Sequence, residues 1–342
     1  MVGARKFNFT LLVLTLVPAL SRRNRRGGKL GVIMRSFGFI IGIVLLTNSI
    51  RAQVKPVPAL ETVPQPYEQI SFQREGVEIA RYHFGPSLRR PFLFPLIGPS
   101  GLSLTRMGHP HDPESHSHHN SIWISHNSVN GVSFWDDRAK GKIVHQRIEN
   151  LEDDSILSSN AWIDEASKKT LMSERRRTSI VLLERSEYFL IVDLEFSCTE
   201  KVTLGKTPFG LVGVRVAKTM GTNDGGGTIR NSEGKVNEKE VLWKAAKWVD
   251  YSGPIKRDVT EGITLMDHPA NPNHPSVFHV RGDGWMGASL TFDGERVIQV
   301  GKPLRLRYGL YVHSGAPAVE ELEKRWKQFS ELKLAEMEVK KK

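Results

Sequence analysis

The 342-residue chain has one cysteine, Cys198. A lone cysteine excludes an intramolecular disulfide framework. It sits in an alternating apolar stretch and reads as a core residue. It carries no information on compartment, because a domain of this size needs no disulfide staples. Long apolar runs are also missing. Beyond residue 52 no stretch of 18 apolar residues occurs, which excludes a helical membrane span in the mature chain. Acidic residues are absent from residues 1–53, which hold nine Lys and Arg; the first acid is Glu61. The net charge of +11 therefore lies mostly in this leader, leaving about +2 for the rest, an ordinary value for a soluble domain. Nucleic acid is excluded as a partner on that ground. Internal repeats and an HExxH zinc signature are lacking as well.

Two short apolar runs stand in the leader, at residues 7–20 and 37–47. Each is too short to span a bilayer comfortably. The second is laid out as a signal peptide: Met34 and Arg35 start it, 37–47 form its apolar centre, and Ser49 to Ala52 supply a cleavage end. Translation is expected to begin at Met34, and the mature protein is expected in the periplasm or outside the cell. The alternative is a membrane hairpin made by the two runs. Residues 54–66 are rich in proline and read as an extended linker.

From residue 67 the pattern is dominated by strands. Val192, Leu194, Phe196 and Cys198 alternate with Asp193, Glu195 and Ser197, and Leu304, Leu306, Tyr308, Leu310 and Val312 alternate with polar neighbours. Period-two runs of this kind are half-buried antiparallel strands. Others are expected at 77–82, 156–163, 178–183, 209–216, 241–251 and 289–292. Glycine- and asparagine-rich turns separate them. Helical spacing occurs once, over 317–339, through Leu322, Trp326, Phe329 and Leu332. The expected fold is all-β, a large antiparallel β-sandwich over 67–315 followed by one C-terminal helix within 316–342.

Histidine carries the chemistry. All twelve lie between His83 and His313, and six fall within eighteen residues: His109, His111, His116, His118, His119 and His126. The stretch begins polar and turn-rich and ends in the aromatic segment holding Trp123, which is a loop feeding a strand. Three readings stay open here. His-x-His in extended chain puts two imidazoles on one face and suits copper or zinc. An imidazole beside a carboxylate is a proton-transfer pair tunable near neutral pH, with Asp112, Glu114, Asp136 and Asp137 nearby. The third reading is a solvated loop with incidental histidines. A second cluster runs from Asp267 and His268 through Asn271 and His274 to His279 and Arg281. Its three prolines stiffen the loop. Arg215 stands among Val212, Val214 and Val216, a place that demands a partner. Arg307 and His313 share the polar face of the last strand with Arg305. Arginine, histidine, asparagine and tryptophan together suit a sugar or carboxylate ligand.

These residues resemble a known family. Pro91 to Pro99, His118-His119-Asn120-Ser121-Ile122-Trp123, Asn130 to Trp135, Asp267-His268-Pro269 with Asn271 and His274-Pro275, and Leu306-Arg307-Tyr308 through His313 look like the PmoA-type domain of unknown function found in exported bacterial proteins. The resemblance covers roughly 66–315. It departs at Ser133, where many relatives carry an acid, so no carboxylate role is placed there. The family's frequent label, methane oxygenase, conflicts with a chain that has no helical span beyond residue 52, because a particulate methane oxygenase is an integral membrane assembly. The resemblance implies, more loosely, a sandwich similar to galactose mutarotases, which bind sugars and use a histidine with a carboxylate.

The expected function is an exported carbohydrate-active protein, an epimerase, lyase or hydrolase of a sugar or an oxidised sugar derivative. His118, His119, Asp267 and His268 are the expected catalytic residues. Trp123, His126, Asn130, Arg215, Asn271, His274, Arg281, Arg307 and His313 are the expected substrate-binding residues. No cofactor is required. Alternatives are a copper or zinc enzyme using His118, His119 and His268, and a glycan-binding module without catalysis.

Overall fold

The computed structural model describes residues 56–109, 116–334, 336 and 337. The signal peptide, the start at Met34, and His111, Asp112 and Glu114 lie outside the described residues. The fold is mostly β, as the alternation requires, in two large antiparallel sheets.

The first sheet has nine strands in the order Glu61–Gln65, Gln69–Arg74, Val77–His83, Phe92–Leu96, Ile122–His126, Gly210–Arg215, Trp285–Ser289, Val277–Arg281 and Lys244–Ala245. The second has eight, in the order Thr228–Asn231, Trp248–Lys256, Val259–Asp267, Leu304–Ser314, Tyr188–Ser197, Lys169–Leu182, Ser155–Asp164 and Gly141–Glu152. A two-stranded ribbon, Val202–Leu204 with Arg296–Ile298, stands apart from both. The segment read as a linker thus contains an edge strand, Glu61–Gln65, paired with Gln69–Arg74. Two strand placements are also corrected. Residues 241–251 begin with the end of a short helix, Asn237–Val241, and of 289–292 only Ser289 is in a strand, as the last residue of Trp285–Ser289.

Parity along each strand decides what faces what. In the first sheet Ile122, Ile124, Val212, Val214, Phe278, Val280, Met286 and Ala288 enter the main core. Leu190, Val192, Leu194, Leu306, Tyr308 and Leu310 of the second sheet meet them there. Trp123 and Trp285 leave that core and join Phe92 and Trp135 in a separate aromatic cluster. Phe189, Ile191 and Tyr311 also turn away from the main core, and the C-terminal helix covers them. Strands expected to be half-buried are therefore buried on both faces.

That helix spans Val319–Glu331, shorter than the periodicity predicts. Leu322, Arg325 and Phe329 form its buried stripe. Glu320 and Glu321 in its first turn suit the helix dipole. Beyond it, the carbonyls of Leu332 and Lys333 accept from Arg307 Nη1 at 3.0 and 3.1 Å, so the chain is captured by the sheet where the helix stops. Gly309 permits the docking: a Cβ there would stand 2.7 Å from the Phe329 ring. No helix among the described residues is long and apolar enough to cross a membrane.

Candidate functional site

Four strands of the first sheet meet in register at one level, through Trp123, Gly213, Gly287 and His279. The two central glycines leave a trough on the face turned away from the main core. A Cβ on Gly213 would stand 2.6 Å from the Trp123 indole. Trp123 therefore lies across the neighbouring strand, and His119 stacks on it at 5.3 Å between ring centroids and 21° between planes. Above this floor is a cavity of about 520 Å³, within the ordinary range for small-molecule sites. His116, His118, His119, Asn127, Trp135, Asp136, Phe209, Arg215, His279, Arg281, Asp283 and Trp285 line it.

The loop delivering the histidines is fastened from below. Arg90, buried, donates to the carbonyls of His118, Phe134 and Trp135 at 3.2, 3.1 and 2.7 Å, and to Asp137 at 3.1 Å. One guanidinium thereby ties the 116–120 loop to the Phe134–Trp135 corner. The imidazoles then crowd together: His118 and His119 are 4.4 Å apart, His116 and His119 5.0 Å, and His109 and His116 4.9 Å, measured between ring centroids. Across the cavity His279 meets the edge of Trp285 at 4.2 Å and lies 5.3 Å from Phe209.

Two carboxylates belong to the site. Asp283 is held by Arg215 Nη1 at 2.8 Å and accepts from His109 Nε2 at 2.9 Å. Burial alone would raise its pKa, but the Arg215 hydrogen bond and charge outweigh burial and hold it low, so Asp283 is an anion. Asp136 Oδ1 lies 3.9 Å from His118 Nδ1, a separation that a water or a small rotation closes. Burial lowers the pKa of His118 to about 4 despite the pull of Asp136, and burial does the same to His279. Burial drives His119 further down. These imidazoles are neutral at pH 7, each offering one donor and one acceptor. His119 Nδ1, His279 Nδ1, Arg215 Nε and Nη2, and Trp285 Nε1 are buried without a protein partner. A concentration of such atoms around one cavity is unusual in a folded protein.

The cavity therefore unites His118, His119, Arg215 and Arg281; Trp123 is buried beneath His119, supports it by stacking, and does not itself line the cavity. The partner that Arg215 demands is Asp283. Other expected site residues lie elsewhere. His126 has the parity of Ile122 and Ile124 and points inward; its Nδ1 accepts from Ser128 N and its Nε2 meets Thr291 Oγ1 at 2.9 Å. Asn130 shapes a turn, with φ 49° and its side chain accepting from Thr203 N at 2.8 Å. His313 faces outward from the second sheet and meets buried Asp250 at 2.8 Å.

The Asp267 loop forms a separate network against the C-terminal helix. Asp267 accepts from Asn271 Nδ2 at 2.7 Å, His274 Nδ1 at 2.8 Å and Ser276 N at 2.8 Å. Asn271 bonds the backbone of Arg307 in both directions at 2.7 Å. Arg307 pairs with Asp193 at 2.6 Å. His274 stacks on Trp326, and His268 meets Phe329 edge-on. Asp267 does orient a histidine, but that histidine is His274, which does not line the cavity. The set His118, His119 and His268 proposed for a metal is not brought together, and among the described residues no group of three His, Cys, Asp or Glu is arranged to hold a metal ion.

Asp283, Trp285, Phe209, Asn127 and the positioning residue Arg90 are not legible as site residues in the sequence. His279 shows one usable signal: with Arg281 it alternates against Phe278 and Val280, which places both on the outer face.

The chain belongs to a family of unknown function, DUF6807, whose model matches residues 69–327. The PmoA-type name drawn from the motifs receives no support from these comparisons. No curated protein matches the chain. Among solved structures it is similar to a galactose mutarotase-like protein from Lactobacillus casei, with 9% identity and a TM-score of 0.38, over 74% of this chain and 100% of that one. It is also similar to a GalM/aldose epimerase homologue from C. elegans, with 9% identity and a TM-score of 0.35, over 75% and 99% of the two chains. Likeness at this level does not bear on chemistry.

Proposed function

We propose that the cavity binds a sugar or an oxidised sugar derivative and transforms it by histidine and carboxylate acid–base chemistry. The observation that carries this reading is the union of aromatic walls (Trp135, Trp285, Phe209) with neutral imidazoles and two carboxylates in one cavity of about 520 Å³. A pyranose has apolar faces that stack on indole and a hydroxyl edge that both donates and accepts. Neutral imidazoles match that edge, since each presents one donor and one acceptor.

In this reading Asp136 orients the Nδ1 proton of His118, leaving Nε2 to accept a proton from the ligand. His119 donates or accepts opposite it. Arg215 keeps Asp283 ionised, so Asp283 serves as a fixed carboxylate rather than a proton donor. Arg281, held by Glu238 at 2.8 Å, supplies positive charge at the rim for the carboxylate of a sugar acid.

The test is incubation with neutral sugars and sugar acids in D2O, followed by proton NMR. Deuterium at a carbon position, or new reducing ends, is the expected result, and both disappear in His118→Asn and His119→Ala. Binding by calorimetry without either signal across the panel would instead make the protein a glycan-binding module. Absence of any binding would end the sugar reading.

A second reading, a copper or zinc centre, starts from the crowding of His109, His116, His118 and His119; it requires these rings to turn towards a common point, since as placed no three of these described residues are arranged to hold an ion. Stoichiometric metal surviving chelator dialysis would favour it. We further propose that the protein acts outside the cytoplasm, on the layout of the leader. N-terminal sequencing of native material tests this, with a mature end near Gln53 expected.

A further inference from the structure

Trp243 is half exposed and lies outside the cavity lining. Single exposed aromatics are common and mean little alone. This one has three further properties. Its backbone takes φ 58°, an unfavourable region for a bulky residue and one that persists where surrounding structure enforces it. The enforcement is visible: Trp243 N donates to Phe278 O at 2.8 Å, on the strand that carries His279. The preceding short helix is tied to the cavity rim, where Glu238 accepts from Gly282 N at 2.6 Å and from Arg281 Nε at 2.8 Å. Finally, the Trp243 ring lies 6.2 Å from His279, which is itself 4.2 Å from Trp285. Phe292 flanks it at 6.2 Å.

The cavity's aromatic surface thus continues outward, from Trp285 over His279 to Trp243. The continuation is rigid and opens to solvent. A single sugar ring in the cavity would not reach Trp243. A second ring joined to the first would lie over it, with the neutral imidazole of His279 between the two stacking faces. A protein partner would need a broader apolar patch than one indole beside a half-buried phenylalanine.

We infer that Trp243 is the outer platform of an extended site, and that the ligand is an oligosaccharide of two or more units rather than a free monosaccharide. This rests on the sugar reading and narrows it. Trp243 here is a specificity-determining residue, with no part in bond making.

The experiment is calorimetry with glucose, galactose, xylose and galacturonate, each beside its own di- and trisaccharide. At least one series should bind about tenfold tighter from one unit to three. Trp243→Ala should abolish that gain while leaving the monosaccharide within about twofold. Trp243→Phe should retain most of the gain, because the ring face is kept. The half-exposed position leaves the fold intact, checked by an unchanged Tm. Length-independent binding, or an equal loss for monomer and trimer in Trp243→Ala, would overturn the extended site and leave the sugar reading standing. No binding by any sugar would overturn both.

Discussion

On the outer face of the first sheet, the loop carrying His116, His118 and His119 meets Arg215 and Asp283. Behind the second sheet, the loop carrying His268 and His274 meets Arg307, Asp193 and Asp267. Residue types in the two places are nearly the same, and both are largely buried. Their hydrogen bonding differs. Every guanidinium nitrogen of Arg307 has a partner, and Asp267 accepts three hydrogen bonds with its side chain. In the first region Arg215 leaves Nε and Nη2 without one, and His119 and His279 each leave Nδ1. The first region also borders a cavity of about 520 Å³, against about 120 Å³ beside Arg307. A polar network that satisfies itself holds structure together, and one that does not is poised for something else. His268 Nε2 is an exception in the second region, since it too is buried without a partner.

The largest effects come from striking each region at its most characteristic residue. His118→Asn should lower turnover of whichever sugar substrate is found by about 10²–10⁴-fold, the usual worth of a positioned acid or base. Its unfolding free energy should stay within about 1 kcal/mol of wild type. Arg307→Ala should do the reverse. It leaves Asp193 buried without its partner and frees the chain after the C-terminal helix, so denaturant unfolding should show a loss of about 3–5 kcal/mol. Turnover per folded molecule should be preserved. A stable Arg307→Ala protein with lost turnover would invert the assignment of the two regions.

Matched glycine substitutions sharpen the comparison at smaller scale. Gly213→Ala pushes a Cβ to 2.6 Å from Trp123, and Gly309→Ala pushes one to 2.7 Å from Phe329. Both are overpacking changes with an expected cost of about 1–3 kcal/mol. They should differ in what they disturb. Gly213→Ala lifts the floor on which His119 stacks and should weaken ligand binding measured by calorimetry. Gly309→Ala lifts the helix and should raise proteolysis near residue 331 without touching affinity. Equal effects on affinity would show that the two faces of the fold are not separable.

Why the sequence distinguished these regions poorly has a physical basis. Alternation is local, so the strands through Val192 and Leu310 and the sandwich itself could be read directly. So could the need of Arg215 for a partner. The identity of that partner could not, because Asp283 comes from a turn 68 residues away and reaches Arg215 through the pairing of Gly210–Arg215 with Trp285–Ser289. Strand order is a non-local property that no periodicity encodes. His126 was lost for a simpler reason: one step of parity separates it from Trp123 and Ser125, so it faces inward with Ile124. The Asp267 loop has the composition of a site, and only the C-terminal helix folding back on it shows that its groups are already engaged.

The smallest effect is a difference in pH dependence. Burial lowers the pKa of His118 and of His279 to about 4, below the value of about 6.5 expected in the unfolded chain. Each therefore contributes stability that is complete above pH 6.5 and is lost as the pH falls towards 4, because only the unfolded chain takes up the proton in that window. At pH 5.5 one such histidine accounts for about 1.4 kcal/mol of lost stability. His279→Phe keeps an aromatic ring against Trp285 and Phe209 and removes the titrating group. Urea midpoints at pH 7.5 and 5.5 should therefore lie closer together in His279→Phe than in wild type, by roughly that amount divided by the urea slope. An unchanged spacing would mean that His279 takes up its proton in the folded chain over the same pH range as in the unfolded one. At pH 5.5 the two imidazole-lined walls of the cavity would then differ in charge, and at that pH the match to an uncharged hydroxyl edge would hold only on the side of His118 and His119.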